Sequence, residues 1–176
     1  MSKVDVWRAS ERDLDEIVDV YMASFVSMVK GYQSSVSQDV FNRQALREMW
    51  NAFLASDESL VFLASDLATD GSTPVAVLAL KPSSRPKTIE LAKLFVLPEK
   101  QGLGIGRDVT QYAFQIALNL GYKKMDLWTW EISYQSRRMY EALGFVVTKD
   151  RGLSGYNGIP PESDVTLRYE RDLSSC

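Results

Sequence analysis

The chemistry of this chain concentrates in the segment Leu91 to Arg107, LAKLFVLPEKQGLGIGR. An apolar strand runs through a proline-containing corner into Gln101-Gly-Leu-Gly-Ile-Gly106, and an amphipathic helix follows at once. A helix start carries about half a positive charge and several unpaired N–H donors. Glycines remove the side chains that would hold a phosphate away. The segment is therefore suited to an anion of the diphosphate type. A glycine-rich turn with no ligand is the bland alternative, since glycines are common at turns. A dinucleotide-binding fingerprint fits poorly: the spacing is G-x-G-x-G, and Pro98 to Gln101 separate the strand from the glycines. Asp126 does lie about twenty residues on, as that fingerprint asks. It falls near the start of its strand, however, whereas a ribose-binding acid belongs at the C-terminal end. A P-loop fails because no Gly-Lys-Ser/Thr follows.

What is missing narrows the chemistry further. The chain has no histidine, which removes Ser-His-Asp and Cys-His catalysis and histidine-ligated zinc together. A general base has to be Asp, Glu, Lys, Tyr or an ordered water. The single cysteine, Cys176, is the last residue; it excludes an internal disulfide and a thiolate cluster, and it is a poor nucleophile at a chain end. No metal site is expected. A length of 176 residues implies one domain over 1–176 with a single sizeable core. The net charge of −3 argues against a nucleic-acid binder. No apolar run reaches membrane-spanning length, and the start MSKVDVWRAS lacks a secretory pattern. The expectation is a cytoplasmic protein that engages neither nucleic acid nor membrane.

The elements that must position the glycine segment are legible from periodicity. Val4–Arg8 reads as a strand, and Ser10 with Asp13 reads as a helix start. Leu14, Ile17, Val18, Tyr21 and Phe25 share a helix face. Gly31–Ser37 reads as a loop, and Phe41, Ala45, Met49 and Phe53 mark a second helix ending near Ser56. Leu60–Ser65, Val75–Leu80 and Thr88–Val96 are strands, with a turn at Asp70-Gly71-Ser72 and a loop over Lys81–Lys87. Their short connections imply an antiparallel meander. Val109, Tyr112, Ala113, Ile116, Ala117 and Leu120 form the stripe of the helix after the glycines, and Gly121 sits where a C-cap glycine belongs. Lys124–Trp130 (strand), Gln135–Leu143 (helix), Phe145–Lys149 (strand), Arg151–Pro161 (loop) and Val165–Glu170 (strand) complete the order β-α-α-β-β-β-α-β-α-β-β. This is an α/β protein with a mixed sheet.

Gln101, Gly104 and Gly106 fill the pattern Gln/Arg-x-x-Gly-x-Gly/Ala after a strand ending in Val-x-Pro. That pattern resembles the signature of the GCN5-related N-acetyltransferase (GNAT) superfamily. Arg138-Met-Tyr-Glu-Ala-Leu-Gly-Phe145 resembles the same superfamily's late Tyr-Glu-x-Leu-Gly-Phe motif, and the element order matches that fold across almost the whole chain. The resemblance implies a mostly antiparallel sheet that opens between its fourth and fifth strands to admit acetyl-CoA as co-substrate, without a metal. On this reading the pantetheine arm pairs with main-chain groups of Leu94, Phe95 and Val96. The N–H of Leu94 faces the thioester carbonyl and stabilises its oxyanion. The diphosphate rests on Gln101, Gly102, Leu103, Gly104, Ile105, Gly106 and Arg107.

Glu90 matches the base glutamate of histone acetyltransferases in the superfamily; a carboxylate there, directly or through water, takes a proton from an ammonium whose pKa is near 10. Tyr140 matches the tyrosine proposed as general acid toward the departing thiolate. One departure is Ser133, where many relatives carry a cofactor-binding asparagine; Ser136 is the substitute donor. Trp128 and Trp130 share one face of their strand, and Glu131 follows them. The resemblance assigns the acceptor side to Tyr21, Phe25, Tyr32, Trp50 and the Arg151–Pro161 loop. Small single-domain bacterial acetyltransferases of unassigned substrate are the most similar in outline. The expected activity is acetyl transfer from acetyl-CoA to a primary amine, on a small molecule or a peptide, by direct attack in a ternary complex. The alternative is a non-catalytic acyl-CoA sensor. This fold often dimerises through its late strands or helices, so the resemblance makes a homodimer a candidate assembly, while the sequence itself does not give the oligomeric state.

Overall fold

The computed structural model describes residues 3–32, 42–69, 71–155 and 163–174. Seven strands form one sheet: β1 (Val4–Arg8), β2 (Leu60–Asp66), β3 (Pro74–Pro82), β4 (Thr88–Val96), β5 (Lys124–Trp130), β6 (Val146–Leu153) and β7 (Val165–Asp172). Their spatial order is β1-β2-β3-β4-β5-β7-β6, antiparallel throughout except for the parallel pair β4–β5. Four helices cover the sheet: α1 (Leu14–Tyr32), α2 (Arg43–Ala55), α3 (Ile105–Asn119) and α4 (Tyr134–Ala142). The parallel pair exists because α3 carries the chain back across the sheet between β4 and β5, which no hairpin could do.

Alternation along the strands divides the core in two. Leu78, Leu80, Ile89, Leu91, Met125, Leu127 and Tyr169 pack with Val109, Ala113 and Ala117 of α3 and with Tyr140 of α4. Val61, Leu63, Val77, Ala79 and Trp130 face the other way, against Ile17, Tyr21 and Phe25 of α1 and Trp50 of α2. Helix starts follow local chemistry. The backbone N–H of Ser10 donates to the Asp13 carboxylate at 2.7 Å ahead of α1. The Asn42 side chain accepts from the N–H groups of Gln44 and Ala45 at 3.0 and 3.3 Å ahead of α2.

The register of β3 against β4 slips between Ala79 and Leu80, whose partners are Lys93 and Leu91. Ala92 is the extra residue of a β-bulge, which bends β4 and increases its twist. Before the bulge Ile89 and Leu91 point to the α3 face; after it, Leu94 and Val96 do.

Some expectations from sequence are corrected. Gly31 and Tyr32 end α1 instead of opening a loop, and Arg151 to Leu153 belong to β6. These last residues pair with Leu167, Thr166 and Val165 of β7. Gly152, read as a loop signal, is glycine because of crowding: a Cβ there would lie 3.1 Å from Thr166 Oγ1 and 3.3 Å from Trp128 Cζ3. Phe41, Asp70 and Cys176, and positions 33–37 and 156–161 of the expected loops, lie outside the described residues. Replacing Gly152 with Leu forces the Trp128 indole aside. Urea unfolding should show a loss of about 1–3 kcal/mol, the usual range for overpacking, together with altered tryptophan emission; unchanged stability would show that the site has room.

Candidate functional site

The site is an opening within the sheet. β4 and β5 pair only from Thr88↔Lys124 to Leu91↔Leu127, and then part. A cleft of about 430 Å³ occupies the gap. Leu91 to Phe95 form one wall and Trp128 to Trp130 the other, while Ser133, Ser136 and Tyr140 line it from α4 and the turn before it, and Phe25 and Met28 line it from α1. The wall on β4 has unused hydrogen-bonding capacity. Leu97 N–H donates to Val75 C=O at 2.9 Å, so the alternation of an antiparallel ladder turns the main-chain groups of Phe95 and Lys93 toward β3. Those of Leu94 and Val96 are left facing the opening. The Val96 carbonyl is already engaged, accepting from Ser24 Oγ at 2.9 Å and Gln101 Nε2 at 3.0 Å.

The glycine segment meets the upper end of this cleft through a short 3-10 turn, Pro98–Lys100. Gly102 and Gly104 have φ of 75° and 91°, a region other residues enter only with strain. Gly106 has a different reason: a Cβ there would stand 3.1 Å from Met139 Sδ of α4. The first helical bond of α3 runs from Asp108 N–H to Gly104 C=O at 3.0 Å. The amides of Ile105, Gly106 and Arg107 therefore precede the ladder and stay available. Gln101 is placed differently from its neighbours. Its own amide turns to Pro98 C=O at 3.3 Å, and its side chain ties the turn to the end of β4. Leu103 and Arg107 are exposed, and Ile105 anchors the helix in the core. These groups, with the open strand edge below them, suit the diphosphate and amide arm of an acyl-CoA.

Lys3 was not found by sequence reasoning. Its main-chain N–H donates to the Asp108 carboxylate at 2.7 Å, and its ammonium donates to Leu103 C=O at 2.9 Å, beside Gly104. It brings a cation to the anion loop from the opposite end of the chain. No local motif marks it, because the contact depends on β1 lying alongside α3.

The two acid–base candidates differ in setting. Tyr140 is buried at 6% exposure, edge-on to Phe145 with ring centres 5.6 Å apart, and it lines the cleft. Burial raises its pKa well above that of an ordinary phenol. Ser133, buried, and Ser136, half-buried, join it there. Glu90 lies on the α1 face, in register with Asp126, in a separate charged pocket of about 500 Å³ that shares the Trp128 wall with the cleft. Lys81 Nζ stands 3.5 Å from its carboxyl. Burial raises the Glu90 pKa; Lys81 opposes that, and the charge of Asp126 adds to it.

The aromatic residues divide similarly. Trp128 is 42% exposed, while Trp130 is packed against Phe25 with ring centres 6.1 Å apart. Tyr21 and Trp50 are wholly buried in the α1-side core, whereas Phe25 reaches the cleft; the side chain of Tyr32 lies outside the described residues. Glu131 is exposed, and its carbonyl accepts from Arg137 at 2.8 Å. Among the described residues there is no grouping of three or more His, Cys, Asp or Glu side chains able to hold a metal, and no helix is long and apolar enough to cross a membrane.

Comparison with known proteins gives concordant results. The model of the acetyltransferase (GNAT) family matches residues 14–145. An uncharacterized N-acetyltransferase of Archaeoglobus fulgidus is 31% identical over 142 residues, covering 78% of this chain and 89% of that protein. In fold the chain is similar to a spermidine N-acetyltransferase chimera from Vibrio cholerae and hSSAT, with TM-score 0.74, 18% identity and 99% and 98% of the two chains covered. It is also similar to the PaiA N-acetyltransferase of Thermoplasma acidophilum in complex with coenzyme A, with TM-score 0.71, 19% identity and 98% and 99% covered.

The burial of Tyr140 has a measurable consequence. Its phenol keeps its proton at about pH 10, where an ordinary tyrosine ionises. The stability that depends on the neutral side chain is complete below that value and is lost as the pH climbs toward the folded pKa. Phenolate absorbance curves of wild type and Tyr140→Phe should superimpose through that range and separate only at more alkaline pH. An earlier separation would place the hydroxyl in contact with water.

Proposed function

The chain belongs to the acetyltransferase (GNAT) family, and we propose that it moves the acetyl group of acetyl-CoA to a primary amine by direct attack in a ternary complex. The observation that carries this reading is the open edge of β4 beside the free amides at the front of α3. One end of that arrangement suits the amides of a pantetheine arm, and the other suits a diphosphate. Gly102 to Arg107 supply the diphosphate donors, and Lys3 adds a cation beside them.

The acetyl thioester, as co-substrate, supplies the electrophile. Leu94 N–H stabilises the charge developing on its carbonyl oxygen, an effect typically worth about 3–4 kcal/mol. The C–N bond forms as the C–S bond breaks. The proton lost from nitrogen passes through an ordered water to Glu90, whose raised pKa makes it a stronger base. Tyr140, kept neutral by burial, donates its hydroxyl proton to the departing sulfur, whose conjugate acid has a pKa of about 8.5. Glu90 on the α1 face and Tyr140 on the α3–α4 face suit opposite ends of this transfer. Ser133 and Ser136 take the place of the asparagine expected at the cofactor. Trp128 and Phe25 border the route by which the amine enters. The solved spermidine N-acetyltransferase chimera is named for an amine acceptor, which supports the same acceptor class here.

Incubating the protein with acetyl-CoA and a panel of small amines, amino acids and peptides tests the reading through release of free thiol. At least one amine should release thiol with formation of its N-acetyl product, and acetyl-CoA bound without turnover on any amine would overturn it. Tyr140→Phe should lower kcat about a hundredfold or more, the lower edge of general-acid effects, with coenzyme A affinity unchanged; equal rates remove the tyrosine from the chemistry. Lys3→Met should weaken coenzyme A about two- to fivefold, the scale of an exposed ion pair. It should also reduce the salt dependence of binding and leave acetyl-pantetheine, which lacks the diphosphate, unaffected.

A further inference from the structure

Helix α4 presents Tyr140 to the cleft, yet little apolar surface seats that helix. It is nine residues long, and a helix so short is marginal unless its neighbours hold it. Of its residues only Tyr140 is buried. Polar contacts from β7 take the place of an apolar stripe. The Tyr169 side chain is wholly buried in the same core as Tyr140. Its hydroxyl donates to Glu141 Oε1 at 2.8 Å and accepts from Arg137 Nε at 3.0 Å. Arg137, Tyr140 and Glu141 stand at i, i+3 and i+4, so they share one side of the helix. Arg137 extends the contact to the turn after β5, where its Nη1 donates to Glu131 C=O at 2.8 Å. Two residues further along β7, Arg171 Nη1 donates to Leu143 C=O just past the helix end.

We propose that Tyr169 is a positioning residue: its hydroxyl, clamped between Arg137 and Glu141, fixes the rotation of α4 and with it the placement of the Tyr140 phenol in the cleft. This deepens the reading of Tyr140 as general acid and rests on it. Hydrogen bonds weaken steeply away from their preferred angles. A hydroxyl held between a donor and an acceptor one helical turn apart therefore resists turning of the helix about its axis, which ring packing alone permits. Proton delivery to a departing sulfur is sensitive to such turning, since a misplacement of about 1 Å can cost about a hundredfold in rate. Tyr169 is not among the residues that line the cleft, so it acts through α4 and not on the acyl donor.

The test follows the Tyr140 ring by carbon NMR of the full chain labelled at tyrosine, with coenzyme A as probe and Tyr140→Phe to assign the resonance. Coenzyme A should shift the Tyr140 signal of the wild type, because its thiol comes to rest beside the phenol. In Tyr169→Phe that shift should shrink, with coenzyme A affinity unchanged. On the amine that releases thiol fastest in the panel, Tyr169→Phe should lower kcat about tenfold, part of the loss that full misplacement brings. Introduced into Tyr140→Phe, the same change should lower kcat little further, whereas a purely structural role would cost the same factor in both backgrounds. Glu141 is exposed, so Glu141→Ala probes the clamp even if Tyr169→Phe does not fold. It should reduce kcat and the Tyr140 response in the same direction, and Glu141→Gln, which still accepts from the hydroxyl, should recover most of both. A Tyr140 signal that ignores coenzyme A in the wild type, a full response in the folded variants, or independent losses of kcat overturn the proposal. Absence of thiol release with every amine overturns the transferase reading, and the Tyr140 response to coenzyme A still decides the role of Tyr169.

Discussion

The rest of the molecule depends on an interrupted ladder. A buried strand must find partners for its N–H and C=O groups, and β4 finds them on both sides only as far as Leu91. Beyond that residue it stays on β3 while β5 continues with β7 to Trp130. The bulge at Ala92 marks the point of departure, and the indoles of Trp128 and Trp130 begin just past it. The opening is stable because each strand keeps a full ladder on its outer side. On the β4 wall, the main-chain groups of Leu94 and the N–H of Val96 face the gap.

Around that gap the charges are segregated by face. At the upper rim the Lys3 ammonium stands beside the front of α3, where Asp108 accepts from the Lys3 main-chain N–H. The lower pocket holds carboxylates and guanidiniums in close alternation, with Arg168 joined to Asp126, Asp150 and Glu170. Tyr140 lies among apolar neighbours on the side away from that network. The two acid–base candidates thus have separate environments, and both shifts run upward for the same first cause, loss of water. A net charge of −3 carries no trace of this arrangement.

Periodicity and glycine chemistry made much of the fold, and the position of the glycine turn at the end of the cleft, readable from sequence. The stripe from Val109 to Leu120, the corner at Pro98 and the pair of motifs around Gly104 and Tyr140 are local patterns, and local patterns survive folding. The features that escaped are joined across the sequence. Lys3 reaches Leu103, and Arg168 reaches Asp126, through neighbouring elements that no window of residues displays. Gly152 looked like a turn because a glycine that relieves crowding reads the same as one that bends the chain. The resemblance assigns Tyr21 and Trp50 to the acceptor side, but the helical stripe that holds Tyr21 is the buried one, and neither ring is exposed.

The hydroxyl of Ser24 carries one hydrogen, which two carbonyls share: Val20 within α1 at 2.7 Å and Val96 at the end of β4 at 2.9 Å. The same Val96 oxygen also holds the Gln101 side chain. A helix, a strand end and the glycine turn are thereby pinned at one atom. Displacement of any one strains the other two, so the β4 side of the crevice is braced from three elements through a single carbonyl oxygen.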